Sequence, residues 1–183
     1  NKYLYVSTEG NGPRVPGLKR YEKLLEELNP KGLKKKFVVF EDSTHAEVLS
    51  KGLYEGLKFV FADYVIPDSA VAKGADGVIK HFEEVDKNYN FDVEIPVGTI
   101  NEAVVSLIVA GKLDEAIKLV LHGTKIHPES PVLYGTLAEL YESKKEPASA
   151  LKYYKTAYEK AFDNKLLFVK YRAMHRKLKK ESK

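Results

Sequence analysis

Two short apolar runs near the start of the chain have the pattern of buried β-strands. One lies at residues 2–6 (Lys-Tyr-Leu-Tyr-Val) and the other at residues 37–40 (Phe-Val-Val-Phe). Both are rich in strand-forming residues, too short for a typical helix, and followed by polar loop residues. We therefore predict two strands, at residues 3–6 and 37–40.

Apolar residues at helical spacing follow each predicted strand. The stripe between the strands predicts a helix and consists of Leu18, Tyr21, Leu24, Leu25 and Leu28. The stripe after the second strand consists of Leu53, Leu57, Val60, Phe61 and Tyr64. The order strand, helix, strand, helix predicts a βαβ unit with parallel strands. Because two parallel strands do not make a complete sheet, we expect further strands from upstream sequence or from another chain.

The second half of the chain contains a further helix and then an internal repeat. The interval 67–95 is predicted to be a linker helix, with its apolar side at Val78, Phe82, Val85 and Tyr89. From residue 96 to residue 183 the pattern is helical throughout, and Ala116 lies 34 residues before Ala150. Recurrence of that kind predicts stacked helix pairs that share one core.

Small and bulky residues alternate at fixed places in this repeat. The first unit has Gly111, Ala116, Val120, Gly123 and Pro128, and the second has Ala150, Tyr154 and Ala157. The pairs Ser130-Pro131 and Glu146-Pro147 are typical of helix starts. This pattern resembles the tetratricopeptide repeat (TPR), with Lys145 at the position of the usual turn glycine. A last helix, after Asp163, is expected to cap the repeat.

The composition is that of a globular protein, and it excludes several kinds of functional site. The 183 residues are 44% hydrophobic and 31% charged, and the formal charge is +4. Acidic residues are interspersed with basic ones, so the charge does not indicate nucleic-acid binding, and no apolar run is long enough to span a membrane. The chain has no cysteine and no ligand spacing among its histidines, so we assign neither a metal nor a cofactor.

A single histidine, His45, lies in the polar loop after the second predicted strand and just before a helix. Open α/β sheets place their chemistry at this end of a strand, although a lone histidine there is also typical of a solvated loop or a helix cap. Glu41-Asp42-x-x-His45 and the following Tyr-x-Gly-Leu-Lys-Phe-Val-Phe resemble the last strand, histidine loop and final helix of the siderophore-esterase-like branch of the α/β-hydrolases.

The resemblance implies that residues 1–66 are the C-terminal part of an α/β-hydrolase domain and that His45 is its catalytic histidine. It places the triad acid in the loop after the first strand, where Glu9 stands. Glu41 and Asp42 are interpreted as residues that orient the histidine loop. No Gly-x-Ser-x-Gly motif occurs in the chain, so we expect the nucleophile and the oxyanion hole upstream and expect these residues alone to be inactive.

Two functions remain open from the sequence. One is the C-terminal part of a serine carboxylic-ester hydrolase, with His45 as general base and acid and TPR-like repeats for protein interaction. The alternative is a TPR-type peptide-binding or protein-binding module without catalysis. The open sheet edge also predicts self-association. The order of esterase part, linker helix and TPR pair resembles a bacterial arrangement that is compatible with export, but the sequence does not fix a location.

Overall fold

The two predicted strands pair in parallel in the computed structural model, which describes residues 2–90 and 92–181. They are β1 (Lys2–Glu9) and β2 (Leu33–Phe40), so both strands are longer than predicted, and Glu9, expected in the loop after the first strand, is the last residue of β1. Their register places Glu9 opposite Phe40, so both strands end at the same level. The chain divides after Val65 into two units, and the first of them contains this sheet. The predicted parallel pairing is confirmed.

Helices cover both faces of this small sheet. On one face, α1 (Val15–Leu28) places the Tyr21 ring 5.8 Å from the Phe37 ring. On the other face, α2 (His45–Val60) places the Phe59 ring 6.2 Å from the Tyr5 ring. Tyr5 is paired with the residue before Phe37, and side chains alternate along a strand, so the two aromatic contacts lie on opposite faces.

The side of α2 that contacts the sheet is not its apolar stripe. Gly52 and Gly56 face β1, and a Cβ built on Gly56 would lie 3.1 Å from the Tyr5 ring. The stripe expected from the sequence points elsewhere, since Leu53 is 63% exposed and Leu57 is 50% exposed. Glycines at this spacing let the helix backbone approach the strand closely, which the larger leucine side chains would prevent.

The second unit contains only helices among its described residues. Consecutive helices from residue 97 on are joined by three or four residues, which requires antiparallel neighbours. No strand occurs in the described part of this unit. The helices are α3 (Asp68–Val71), α4 (Ala75–Tyr89), α5 (Val97–Val109), α6 (Leu113–Ile126), α7 (Pro131–Ser143), α8 (Pro147–Lys160) and α9 (Lys165–Glu181).

The starts of these helices repeat with the period expected from the sequence. Helices α5, α7 and α9 begin at residues 97, 131 and 165, and α6 and α8 begin at residues 113 and 147, so equivalent helices start 34 residues apart. The turns repeat as well, because Gly111 and Lys145 have φ angles of 71° and 61°. A 34-residue helical repeat is therefore present in the structure.

The core of the second unit begins in the interval predicted to be a linker. The helix expected there is α4, and its residues Val78 and Phe82 are buried in one cluster with Ile100, Leu119 and Leu133 of the next three helices. Contacts of this kind make α4 part of the second unit. A smaller cluster joins α7, α8 and α9.

Close approach of helices in this unit depends on small residues at a few positions. A Cβ on Gly135 of α7 would lie 2.3 Å from the Tyr171 ring of α9, and one on Gly123 would lie 2.8 Å from Ile100 Cδ1. Tyr154 is fully buried, and its hydroxyl donates a hydrogen bond of 2.8 Å to a Glu142 carboxylate oxygen. Burial, together with that carboxylate, raises the pKa of Tyr154.

The turn after α5 gives a direct test of the repeat geometry. Gly111→Ala should destabilise the protein by about 1 kcal/mol, because an L-residue at positive φ brings its Cβ close to the following carbonyl oxygen. Gly98→Ala is the matched control, since neither site has an atom within 4 Å of an added Cβ. Gly98 lies inside α5, so its substitution should stabilise by up to about 1 kcal/mol. Chemical denaturation measures the change in the free energy of unfolding for both variants. A change of the same sign in both would contradict the turn geometry.

Candidate functional site

Glu9 and His45 are brought together at one edge of the β1–β2 sheet. Glu9 is the last residue of β1, and His45 is the first residue of α2, five residues after the end of β2. Parallel neighbours end at the same edge, so residues that follow each strand meet there. His45 Nδ1 lies 3.5 Å from Glu9 Oε2. The structure thus places the two sequence-predicted site residues side by side.

A capping box fixes the backbone on which His45 stands. Thr44 is the N-cap of α2, and its hydroxyl accepts a hydrogen bond of 3.4 Å from the Glu47 N–H. In return, the Thr44 N–H donates to Glu47 Oε2 at 2.7 Å. The Thr44 hydroxyl also donates to Glu47 Oε2 at 2.9 Å, and the bonds from the Thr44 N–H and hydroxyl to this carboxylate lower the pKa of Glu47. The Thr-x-x-Glu spacing is a sequence signal for this helix start, and it is not among the features predicted above.

The Glu9 carboxylate is held in a defined position and in its ionised form. Its side chain is only 15% exposed, and the Thr8 hydroxyl donates to Oε2 at 3.2 Å. The backbone N–H of Glu9 is the largest cause of its lowered pKa, and Thr8 and His45 act in the same direction against partial burial. An ionised carboxylate here can only accept hydrogen bonds.

Arg14 completes the cluster and was not identified from the sequence. Its Nη1 lies 3.2 Å from His45 Nδ1 and 3.6 Å from Glu9 Oε1. Arg14 is the residue just before α1, at the end of the loop that follows β1. Arg14 and His45 are 31 positions apart in the sequence. No local sequence pattern relates residues at that separation, so their contact was not predicted.

The surroundings of His45 define what the cluster can do chemically. The His45 side chain is 74% exposed. Within residues 2–90 and 92–181, no hydroxyl group is hydrogen-bonded to its ring, whose polar contacts are with Arg14 and Glu9. Glu41, interpreted as an orienting residue, packs against Gly10, where an added Cβ would lie 2.5 Å from the Glu41 Cα. Neither Glu41 nor Asp42 is hydrogen-bonded to the ring in that part of the chain.

Outside the cluster of Glu9, Arg14 and His45, the described residues include a structural histidine and a surface groove. His127 is structural, since its Nε2 lies 2.7 Å from the Ile95 carbonyl oxygen. No group of three His, Asp or Glu side chains is arranged to hold a metal ion in the described ranges. In the same ranges, no helix combines the length and apolarity needed to cross a membrane. A groove between α5 and α7 is lined by Asn101, Val104, Val105, Ile108, Thr136, Glu139, Leu140 and Ser143.

The capping box can be tested at Thr44. Thr44→Ala should weaken the start of α2 by about 1 kcal/mol, because the first-turn amides lose their side-chain acceptor. Amide hydrogen exchange at residues 46–48 should accelerate accordingly. Thr156→Ala is the control, because its hydroxyl bonds only to a carbonyl within its own helix. Unchanged exchange at residues 46–48 in Thr44→Ala would contradict the capping role.

The position of the Glu9 carboxylate can be tested at Gly12. A Cβ there would lie 2.5 Å from Glu9 Oε1, so Gly12→Ala should displace the flexible carboxylate and raise the pKa of Glu9 toward its ordinary value. Because this pKa is lowered in the fold, the stability that Glu9 contributes is present at neutral pH and lost as the pH falls through the folded pKa. In Gly12→Ala, less stability should therefore be lost as the pH falls.

Carbon-13 NMR titration of the Glu9 carboxyl measures this shift directly. Gly17→Ala is the matched control, since an added Cβ at Gly17 meets no atom within 4 Å. A Glu9 pKa that is the same in Gly12→Ala and Gly17→Ala would show that Gly12 does not position the carboxylate.

Comparisons with protein-family models, with curated proteins and with solved structures gave no match for this chain. A function is therefore argued from two observations of the structure. One is the cluster of Glu9, Arg14 and His45, and the other is the 34-residue helical repeat.

Proposed function

We propose that the first unit supplies the acid–base part of a serine ester hydrolase. His45 is the general base and then the general acid, and Glu9 is the carboxylate that orients it. The serine nucleophile and the oxyanion hole belong to residues outside these 183. The observation that carries the proposal is the 3.5 Å approach of His45 Nδ1 to Glu9 Oε2 at the carboxyl edge of a parallel sheet.

The chemistry of the pair supports this function. Imidazole exchanges protons near neutral pH, so it can take the proton of an attacking hydroxyl and return it to the leaving alcohol. An ionised carboxylate on Nδ1–H leaves Nε2 free to act as the base and stabilises the imidazolium that forms. Glu9 is ionised, hydrogen-bonded and mostly shielded from solvent, as this role requires.

The arrangement of the first unit supports the finer assignment to an α/β-hydrolase. Such enzymes place the acid and the histidine in loops that follow strands of a parallel sheet, in the chain order acid, then histidine. Glu9 is the last residue of β1 and His45 follows β2, so the chain order is carboxylate, then histidine. Helices α1 and α2 cover opposite faces of the sheet, as in doubly wound α/β folds.

For the second unit we propose a TPR-like module that binds a protein or peptide. The 34-residue spacing of equivalent helices and the small residues at the helix contacts support this assignment. Val105 and Ile108, at the groove between α5 and α7, are 60% and 46% exposed and offer apolar contact area. A binding module without catalysis is the alternative function of the whole chain.

The hydrolase proposal is tested in the longer polypeptide that joins these residues to the nucleophile segment. That protein should hydrolyse a short-chain aryl ester and react with a fluorophosphonate probe, whereas the 183-residue chain alone should do neither. His45→Ala should lower kcat on the order of 10³-fold or more, because triad residues act as a unit. Glu9→Gln should lower it less, because the carboxylate only orients and stabilises the histidine.

His81→Ala is the control for removal of a histidine from the same chain. His81 lies on α4 in the second unit, with its ring 5.5 Å from the Phe82 ring. Its substitution should leave ester hydrolysis unchanged. Equal activity of His45→Ala and His81→Ala would remove His45 from the chemistry and favour the binding module.

A further inference from the structure

The ring nitrogen Nδ1 of His45 has two competing partners. Arg14 Nη1 lies 3.2 Å away, and Glu9 Oε2 lies 3.5 Å away. A guanidinium group only donates hydrogen bonds, and an ionised carboxylate only accepts them. A neutral imidazole therefore binds Arg14 through an unprotonated Nδ1 or binds Glu9 through a protonated Nδ1. One ring cannot satisfy both partners at once.

The two tautomers differ in their capacity for base catalysis. When Arg14 donates to Nδ1, the single ring proton lies on Nε2, and Nε2 cannot accept a proton from a nucleophile. When Glu9 accepts from Nδ1–H, the lone pair of Nε2 is free to do so. The shorter of the two contacts in the structure is the one with Arg14, which corresponds to the form that cannot act as a base.

Arg14 is placed so that a ligand can remove it from His45. Its side chain is 65% exposed and makes no capping bond to α1. Its contact with Glu9 is the longer one, at 3.6 Å, so no carboxylate among the described residues holds the guanidinium tightly. Carboxylate and phosphate groups bind guanidinium in a two-pronged geometry that a single ring nitrogen cannot match.

We propose that Arg14 holds His45 in the Nε2–H tautomer until an anionic group of the substrate binds the guanidinium and frees Nδ1 for Glu9. Arg14 is then a positioning residue, and the substrate class is an ester that carries a carboxylate or phosphate near the scissile bond. This inference rests on the proposed hydrolase function. In this proposal, His45 adopts the tautomer that can act as a base only when the anionic group of the substrate is bound.

Nitrogen-15 NMR of the histidine-labelled 183-residue chain tests the proposal without a nucleophile. In its neutral form, His45 should show a protonated Nε2 and an unprotonated Nδ1. Monomethyl succinate, which carries one carboxylate and one ester, should shift the proton to Nδ1. Dimethyl succinate, which has no charge, should leave the tautomer unchanged. Inorganic phosphate in a separate sample determines whether phosphate has the same effect as carboxylate.

Two arginine variants separate the positioning role from a general effect of charge. Arg14→Gln should show the Nδ1–H tautomer without any ligand and should no longer respond to monomethyl succinate. Arg20→Gln removes an exposed arginine of α1, the helix that follows Arg14, and should behave like the unchanged chain.

The proposal is overturned if the unchanged chain already has Nδ1–H, or if monomethyl succinate has no effect on the tautomer. It is also overturned if Arg14→Gln leaves the tautomer as it was. These results are independent of ester hydrolysis, because the NMR measurement reports the tautomer of His45 and not turnover. Loss of the proposed function would instead appear as equal activity of His45→Ala and His81→Ala in the longer polypeptide.

Discussion

Parallel pairing of β1 and β2 is the constraint on which the first unit depends. Parallel strands need a crossover, and α1 supplies it on one face while α2 returns along the other. The same pairing aligns the carboxyl ends of the strands, so that the loop after β1 and the start of α2 meet at one edge. The contact of Glu9 with His45 across 36 positions of sequence is a direct consequence.

Glycine permits close helix contacts in each unit. In the first unit, Gly52 and Gly56 bring α2 against β1, and in the second, Gly123 and Gly135 admit Ile100 and Tyr171. A side chain at these places would meet atoms at less than normal contact distance. Glycine lowers helix propensity by about 1 kcal/mol, and the packing it allows compensates for this loss.

The two units differ in how well they bury apolar surface. In residues 2–65, only Thr8 and Leu18 are buried, and the stripe of α2 that includes Leu53 and Leu57 is exposed. The second unit has two buried clusters that involve α4 through α9. An exposed apolar stripe on a helix is typical of a surface that another element covers. The site of Glu9 and His45 therefore lies on the less extensively packed unit.

The sequence by itself determined the strands, their parallel pairing and the 34-residue period. These features follow from local periodicity, from turn residues such as Gly111 and from small residues at regular spacing, all of which are local in sequence. The sequence also indicated Glu9 and His45, because residues at or just after the carboxyl ends of parallel strands lie at the same end of the sheet. Their catalytic roles remain predictions.

Only the tertiary structure decided the placement of Arg14, the side of α2 that meets the sheet and the burial of α4. Arg14 reaches His45 through a long side chain from a loop, and no periodic pattern encodes such a contact. For α2, hydrophobicity favoured the leucine stripe, but close approach to β1 selected the glycine side. For α4, the amphipathic pattern predicted a helix but not the helices that pack against it. The cluster that buries α4 is built from residues far along the chain.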